Sequence, residues 1–522
     1  MLEITLTLTL SHEYVGEGIG SRNRRANAAS LQSAAMARRP FGQQAMDEHT
    51  EAFLDKAQAA RFDFKTASAK AAGDERLKLA VNNAVMRQYS GRSLALMQLP
   101  DADRLRTLAG QIKQHALDHL DYYLEQLKAN VERNGGQVHF AADGADARRI
   151  ILDLAQRANV KTAVKSKSMV SEEIDLLPAM ERAGIETFES DLGEFIVQIG
   201  HDRPSHIVGP IIHKDRRSIA ELFSQYFGTP YNDEPTALTM QARKFLRGKF
   251  RRADLGMTGG NFLVAETGQV CVVENEGNAR QSITTPRVLV SLVGIEKIVP
   301  RLADLAVVLK LLARSSTGQH MTVYTSLFGG PRGAGESDGP EEFHLVLIDN
   351  GRSEILASDY RETLRCIRCG ACLNACPVYR SIGGHAYGHV YSGPIGALIT
   401  PLFQGLANFK ELPQASSLCG ACYEACPVKI DIPRHLINLR RDIVNQRLLG
   451  FWERTIYRLW AWSMLSPLRY AIVVRLQRWR LRRSARGSGW VTRMPKIASG
   501  WTQVRDMPAP APRTFHQLWS DR

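Results

Sequence analysis

The chain has 522 residues, 44% of them hydrophobic and 23% charged, with a formal net charge of +14. That length suits two to four domains, and the ordinary globular composition excludes wholesale disorder. The positive excess gathers beyond about Arg434, which points toward nucleic acid, anionic lipid or an acidic partner. No aromatic-interleaved RNA-binding motif or basic zipper accompanies it, so nucleic acid ranks last.

The N-terminus, Met1 to Leu10, alternates threonine with apolar residues and has neither a basic start nor a cleavage site. It does not read as a signal peptide. Residues 1–45 are expected to be disordered or to precede the true start, for which Met36 and Met46 are candidates. The expected compartment is therefore the cytoplasm, where closely spaced cysteines read as metal ligands rather than disulfides.

Residues 46–134 have helical periodicity, with Leu105, Leu108, Ile112, Ala116, Leu120, Leu124 and Leu127 at three- and four-residue steps. From Gly136 the rhythm changes. Strand-like runs at 137–141, 161–165 and 185–189 alternate with helical segments at 145–158 and 171–183. That alternation predicts an α/β domain over 135–350, with a parallel sheet and helices on both faces. Further strands are expected at 194–199, 261–265, 270–274, 288–293 and 344–348, with a flexible, turn-rich span over 315–339.

Two loops of this domain are candidate ligand contacts. Lys165 and Lys167, before an expected N-cap at Ser171, suggest an anion site or a capped helix with solvated lysines. The glycine-rich run Asp254–Asn261, with Ala265–Gly268 and Glu274–Arg280, permits close backbone approach. It contains neither a Walker lysine nor G-x-G-x-x-G. His206 and His213 read as structural histidines, and Cys271, in a strand-like run, reads as a packing residue.

Seven of the eight cysteines lie between Cys366 and Cys426. Cys366, Cys369, Cys372 and Cys376 form a C-x2-C-x2-C-x3-C-P run, and Cys419, Cys422 and Cys426 a shorter repeat, each closed by proline (Pro377, Pro427). Thiolates at this spacing suit iron–sulfur clusters, whereas structural zinc favours two C-x2-C pairs per ion. In paired motifs of this kind the cysteine before proline reaches the other cluster. This assigns Cys366, Cys369, Cys372 and Cys426 to cluster 1, and Cys376, Cys419 and Cys422 to cluster 2. Ser416 occupies the place equivalent to Cys366, so the second cluster has a non-cysteine fourth ligand, an open corner, or a [3Fe-4S] core. His385 and His389, in the linker between the motifs, are considered for that corner.

The iron–sulfur region spans 351–445, and a basic, Trp-rich helical region spans 446–486, including Trp452, Trp460, Trp462 and Trp479. Its longest charge-free run is about ten residues, short of the roughly 20 that cross a bilayer. Peripheral contact at the inner face of the membrane, docking on a partner, and intrachain packing are all compatible with it. Residues 487–522 read as a mostly disordered tail.

The succession of Gly256-Met-Thr-Gly-Gly-Asn-Phe-Leu-Val-Ala-Glu-Thr-Gly268, Glu274-Asn-Glu-Gly-Asn-Ala-Arg280 and the two cysteine motifs resembles the lactate-utilisation protein B (LutB) family over about Met46 to Arg483. The resemblance implies a LUD domain similar to the NagB/RpiA/CoA-transferase group, followed by a small helical ferredoxin-like domain with two [4Fe-4S] clusters. It implies an electron-transfer subunit in the oxidation of L-lactate to pyruvate. Its implied partners are a CCG-domain cysteine-rich protein and a second LUD protein. The family's cluster ligands fall on the same seven cysteines, and the family too lacks an eighth thiolate here. The alternative is a catalytic LUD domain, acyl- or CoA-transferase-like or a dehydrogenase, with Glu266 as its candidate residue.

Overall fold

The apolar stripe anticipated between Leu105 and Leu127 is the inner face of two successive helices, Ala102–Asp118 and Leu120–Arg133, and its members are buried. In this computed structural model the described residues are 62–521 apart from 486, 495, 503 and 504. Residues 1–45 and the alternative starts therefore lie outside the described residues. Two compact units divide the chain, one ending at Ile443 and the other beginning at Val444.

The first unit is mixed α/β. Its strands are, in chain order, β1 (Gln137–Ala141), β2 (Thr162–Lys165), β3 (Glu186–Glu189), β4 (Leu255–Thr258), β5 (Phe262–Val264), β6 (Gln269–Glu274), β7 (Val288–Gly294), β8 (Ile298–Val299), β9 (Tyr324–Phe328) and β10 (Glu342–Ile348). Six of them form one sheet in the order β1-β10-β7-β4-β2-β3, parallel at every pairing. Strands β7 and β10, in its interior, are apolar apart from Ser291, His344 and the exposed Glu342 that opens β10, as burial on both faces requires. A second sheet, in the order β8-β5-β6-β9, is mixed.

Three expectations need correction. The segment 194–199 is not a strand but part of the helix Leu192–Ile199, because the Asp191 carboxylate accepts from the Glu194 N–H and starts a helical turn. The helix read over 171–183 is two helices, Met169–Glu173 and Leu176–Arg182, broken at left-handed Asp175, and its cap is Ser168 rather than Ser171. The span 315–339 contains strand β9, which pairs with β6 from Val270 to Glu274.

The cysteine region packs into the same apolar core as the N-terminal helices and the second sheet. It is also tied to the carboxyl edge of the parallel sheet by a buried ionic network. Glu173 follows β2, Glu296 follows β7 and Arg352 follows β10. The Arg352 guanidinium bonds Glu173 at 2.9 Å and Glu296 at 2.6 Å. From the cysteine region, Tyr391 donates to Glu173 at 2.6 Å and Arg368 pairs with Glu296 at 3.6 Å. The Glu296 carboxylate fits only because residue 294 is glycine, where a Cβ would lie 2.1 Å from Glu296 Oε2.

Burial pushes the Glu296 carboxyl up, but Arg352, Lys297 and Arg368 more than offset this and hold it at about 2. A carboxyl so depressed contributes stability that is complete above its ordinary pKa of about 4.5 and is lost as pH falls toward 2. Arg352→Met removes the shared counter-ion of two buried carboxylates. The expected loss is about 3–5 kcal/mol at neutral pH, read by urea denaturation. The variant should also lose less further stability than the wild type as pH falls from 5 to 3, since protonation relieves its uncompensated charge.

The second unit holds the helices Phe451–Met464 and Pro467–Ser484, separated at Ser466-Pro467. Where the sequence suggested a mostly disordered tail, the chain forms a two-stranded antiparallel pairing of Trp490–Val491 with Met507–Pro508 and a short helix, Phe515–Ser520. No helix among the described residues is long and apolar enough to cross a membrane.

Candidate functional site: a seven-cysteine centre

The two cysteine motifs fold into the same local shape. Arg368 and Gly370 have φ of 57° and 76°, and Leu418 and Gly420 have φ of 55° and 85°. Each left-handed turn leads into a five-residue helix, Ala371–Ala375 or Ala421–Ala425, and each helix ends at a cysteine followed by proline. Glycine suits the second position, and at residue 370 a Cβ would also crowd His206 at 3.2 Å. The equivalence extends to Ser416. The Arg368 N–H donates to Cys366 Sγ at 3.4 Å, and the Leu418 N–H donates to Ser416 Oγ at 3.1 Å.

The two helices pack on one another and bring the motifs together. Cys366, Cys369, Cys372 and Cys426 line one small cleft, walled otherwise by residues such as Ile207, Ile367, Ile395 and Val428. Cys376, Cys419 and Cys422 form an adjoining group, close enough that their charges interact. Cys372 interacts with members of both groups. Thus the cysteine before each proline stands among the thiols of the other motif.

Burial pushes Cys369 and Cys422 up to about 12 and Cys426 to about 11. Cys419 is exposed, and the Ala421 N–H and the Ser417 side chain lower its pKa. Backbone N–H groups of Tyr379 and Ile430 approach Cys376 and Cys426 at 3.5 and 3.4 Å. Cationic side chains surround the first group. Arg106 bonds the Cys426 carbonyl at 2.9 Å, Arg92 bonds that of Ala425 at 2.9 Å, and Arg368 stacks 4.4 Å from the Tyr391 ring centre. An all-sulfur donor set in an apolar cleft, with amide donors and compensating cations, fits an iron–sulfur cluster and does not suit hard cations such as Mg²⁺ or Ca²⁺.

The other sequence candidates lie elsewhere. Cys271 is fully buried in β6 as a packing residue. Lys165 is not an open anion site, since its ammonium is taken by Glu189 at 2.7 Å and Glu172 at 3.4 Å. Lys167 is likewise held by Glu194 at 3.4 Å. His206 is structural: its Nδ1 accepts from Val208 and Gly209, and its Nε2 bonds Asn374 at 3.2 Å. His213 bonds Asp202 at 3.0 Å. His385 packs against His213, with ring centres 4.5 Å apart, and donates to the Arg203 carbonyl, so its ring is engaged there rather than with the thiols. His389 Nδ1 meets the Tyr391 N–H at 3.5 Å. Glu266 is exposed in the β5–β6 turn, where its carboxylate accepts from the Leu302 N–H at 2.9 Å. Arg92, Arg106 and the Arg352 network escaped sequence reasoning, because no spacing rule links residues so distant along the chain.

A parallel-sheet domain joined through a buried ionic network to two adjoining groups of thiols defines an iron–sulfur protein. Residues 124–348 match the LUD domain, 362–430 the 4Fe-4S dicluster domain, and 449–522 the C-terminal domain of lactate utilisation protein B. The chain is 44% identical to lactate utilization protein B of Bacillus licheniformis over 88% of this chain and 96% of that one. It is 42% identical to the Bacillus subtilis protein of that name over the same shares, and 43% identical to the uncharacterized electron transport protein YkgF of Escherichia coli over 85% and 94%. The chain belongs to the lactate utilization protein B family.

The thiol environments predict an order of reactivity. In metal-free protein at pH 7.5, iodoacetamide should alkylate Cys419 first and the buried Cys369, Cys372 and Cys426 last, as read by peptide mass spectrometry. Because thiols must lose their protons to bind metal, uptake of iron should release protons and weaken as pH falls.

Proposed function

We propose that this protein is the electron-transfer subunit of a complex that oxidises L-lactate to pyruvate and so permits growth on lactate. The relatives' printed names and the dicluster match support this reading. The observation that carries it is the exchange of cysteines between motifs, which places two thiol groups side by side. Cys366, Cys369, Cys372 and Cys426 would hold one [4Fe-4S] cluster, and Cys376, Cys419 and Cys422 the other, with Ser416 at the place of the absent thiolate. We read the LUD region as sharing the NagB/RpiA/CoA-transferase arrangement.

When bound, such clusters supply one-electron steps. Lactate oxidation releases two electrons and two protons, so a partner must accept the pair and hand it on singly. A CCG-domain cysteine-rich protein and a second LUD protein are the proposed partners. The chain's own residues hold the path. The apolar wall around the first thiol group excludes water, Arg92 and Arg106 fix the Ala425–Cys426 backbone, and Arg368 offsets negative charge beside Cys366. The alternative of a catalytic LUD domain built on Glu266 gains no support from an exposed carboxylate that caps a helix.

Anaerobic purification should yield a brown protein with about eight irons per chain and matching sulfide. A colourless or zinc-only preparation would remove the proposal. With the two partners supplied, lactate should bleach the visible absorption, and Cys372→Ala should abolish lactate-dependent reduction of an external acceptor. Glu266→Gln should leave that rate within about twofold, a change of no more than 0.4 kcal/mol in barrier. Ser416→Cys should alter the electron paramagnetic resonance spectrum of the second cluster alone.

A further inference from the structure

All seven tryptophans of the chain lie beyond Val444, and each is more than half exposed. The same stretch, 444–522, contains fourteen arginines and one lysine against three acids, so it holds twelve of the chain's fourteen net positive charges. Neither feature is a consequence of the cysteine centre. Together they segregate the aromatic and cationic surface of the protein into its second unit.

The exposed residues are ordered along the helices. On Pro467–Ser484, Leu468, Ile472, Leu476 and Trp479 follow steps of four, four and three, which places them on one face, and all four are exposed. Arg469, Arg475, Arg480, Arg482 and Arg483 flank that stripe. On Phe451–Met464 the exposed residues Trp452, Ile456, Leu459 and Trp460 form an equivalent stripe, with Arg454 and Arg458 off its edge. Arg469 lies over the Trp462 ring at 4.4 Å, so cation and indole present themselves together.

We propose that this unit is a docking surface for an anionic lipid bilayer, with both helices lying in the plane of the headgroups. Charge complementarity selects this occupant. Interfaces between proteins use mixed signs to fix register and reject wrong partners, whereas residues 451–483 carry eight arginines and a single acid, Glu453. A strongly positive surface beside apolar stripes matches an anionic leaflet, which attracts arginine and where tryptophan settles at headgroup level. Neither helix is long and apolar enough to span the bilayer, so the contact is peripheral.

The test uses the full-length protein loaded with its clusters and unilamellar vesicles, either of phosphatidylcholine alone or with one-third phosphatidylglycerol. The protein should sediment about tenfold more strongly with the anionic vesicles. Because every tryptophan belongs to this unit, its emission should shift to the blue on binding, and high salt should weaken the association. Arg480→Glu/Arg482→Glu/Arg483→Glu should lower partitioning at least tenfold while iron content and circular dichroism stay unchanged. Leu476→Ser/Trp479→Ser should lower the salt-resistant part of the binding. Equal sedimentation with both vesicles, the absence of an emission shift, or a shift produced only by an acidic protein such as a purified partner subunit would overturn the proposal.

Discussion

Two short turns with the same backbone, Arg368–Gly370 and Leu418–Gly420, govern where seven thiols can stand. Each turn reverses the chain into a helix of five residues, and each helix delivers one cysteine to the companion motif. Neither motif completes a sulfur cage alone, so the centre exists only when both helices pack together. That interdependence buries thiols such as Cys369 and Cys426, whose pKa values burial raises, and it couples metal binding to proton release.

The constraint reaches into the parallel sheet. Arg352, at the carboxyl edge, neutralises two acids from different loops, and the cysteine region answers with Arg368 and Tyr391. Isolated buried charges would be costly, so these groups are stable only with every partner in place. The network fixes the orientation of the first thiol group relative to the LUD domain. It also places the Arg368 guanidinium beside Cys366, where its positive charge would favour the reduced form of a cluster held there.

The second unit follows a different physical logic. Its helices bury almost nothing of their own, with Ser463 the one buried residue of Phe451–Met464 and none in Pro467–Ser484. Surface of that composition is stabilised by what it meets rather than by a core within it. The cysteine centre lies in an apolar core, whereas the surface of the second unit is aromatic, cationic and exposed.

Cysteine spacing and the prolines after Cys376 and Cys426 were legible in the sequence because ligand geometry is local, and the helical stripe from Leu105 to Leu127 was legible because periodicity is local too. The alternation of strand and helix likewise announced a parallel sheet. By contrast, the apolar run at 194–199 satisfied either period, and only the Asp191 cap and the packing around Phe195 settled it as helix. Lys165 looked like an anion site until the fold placed Glu172 and Glu189 against it. The Arg352 network joins residues some 180 positions apart, as Glu173 to Arg352 shows. Sequence by itself determined which atoms were available for chemistry; tertiary structure decided which charges meet, because burial and pairing depend on contacts that no local pattern encodes.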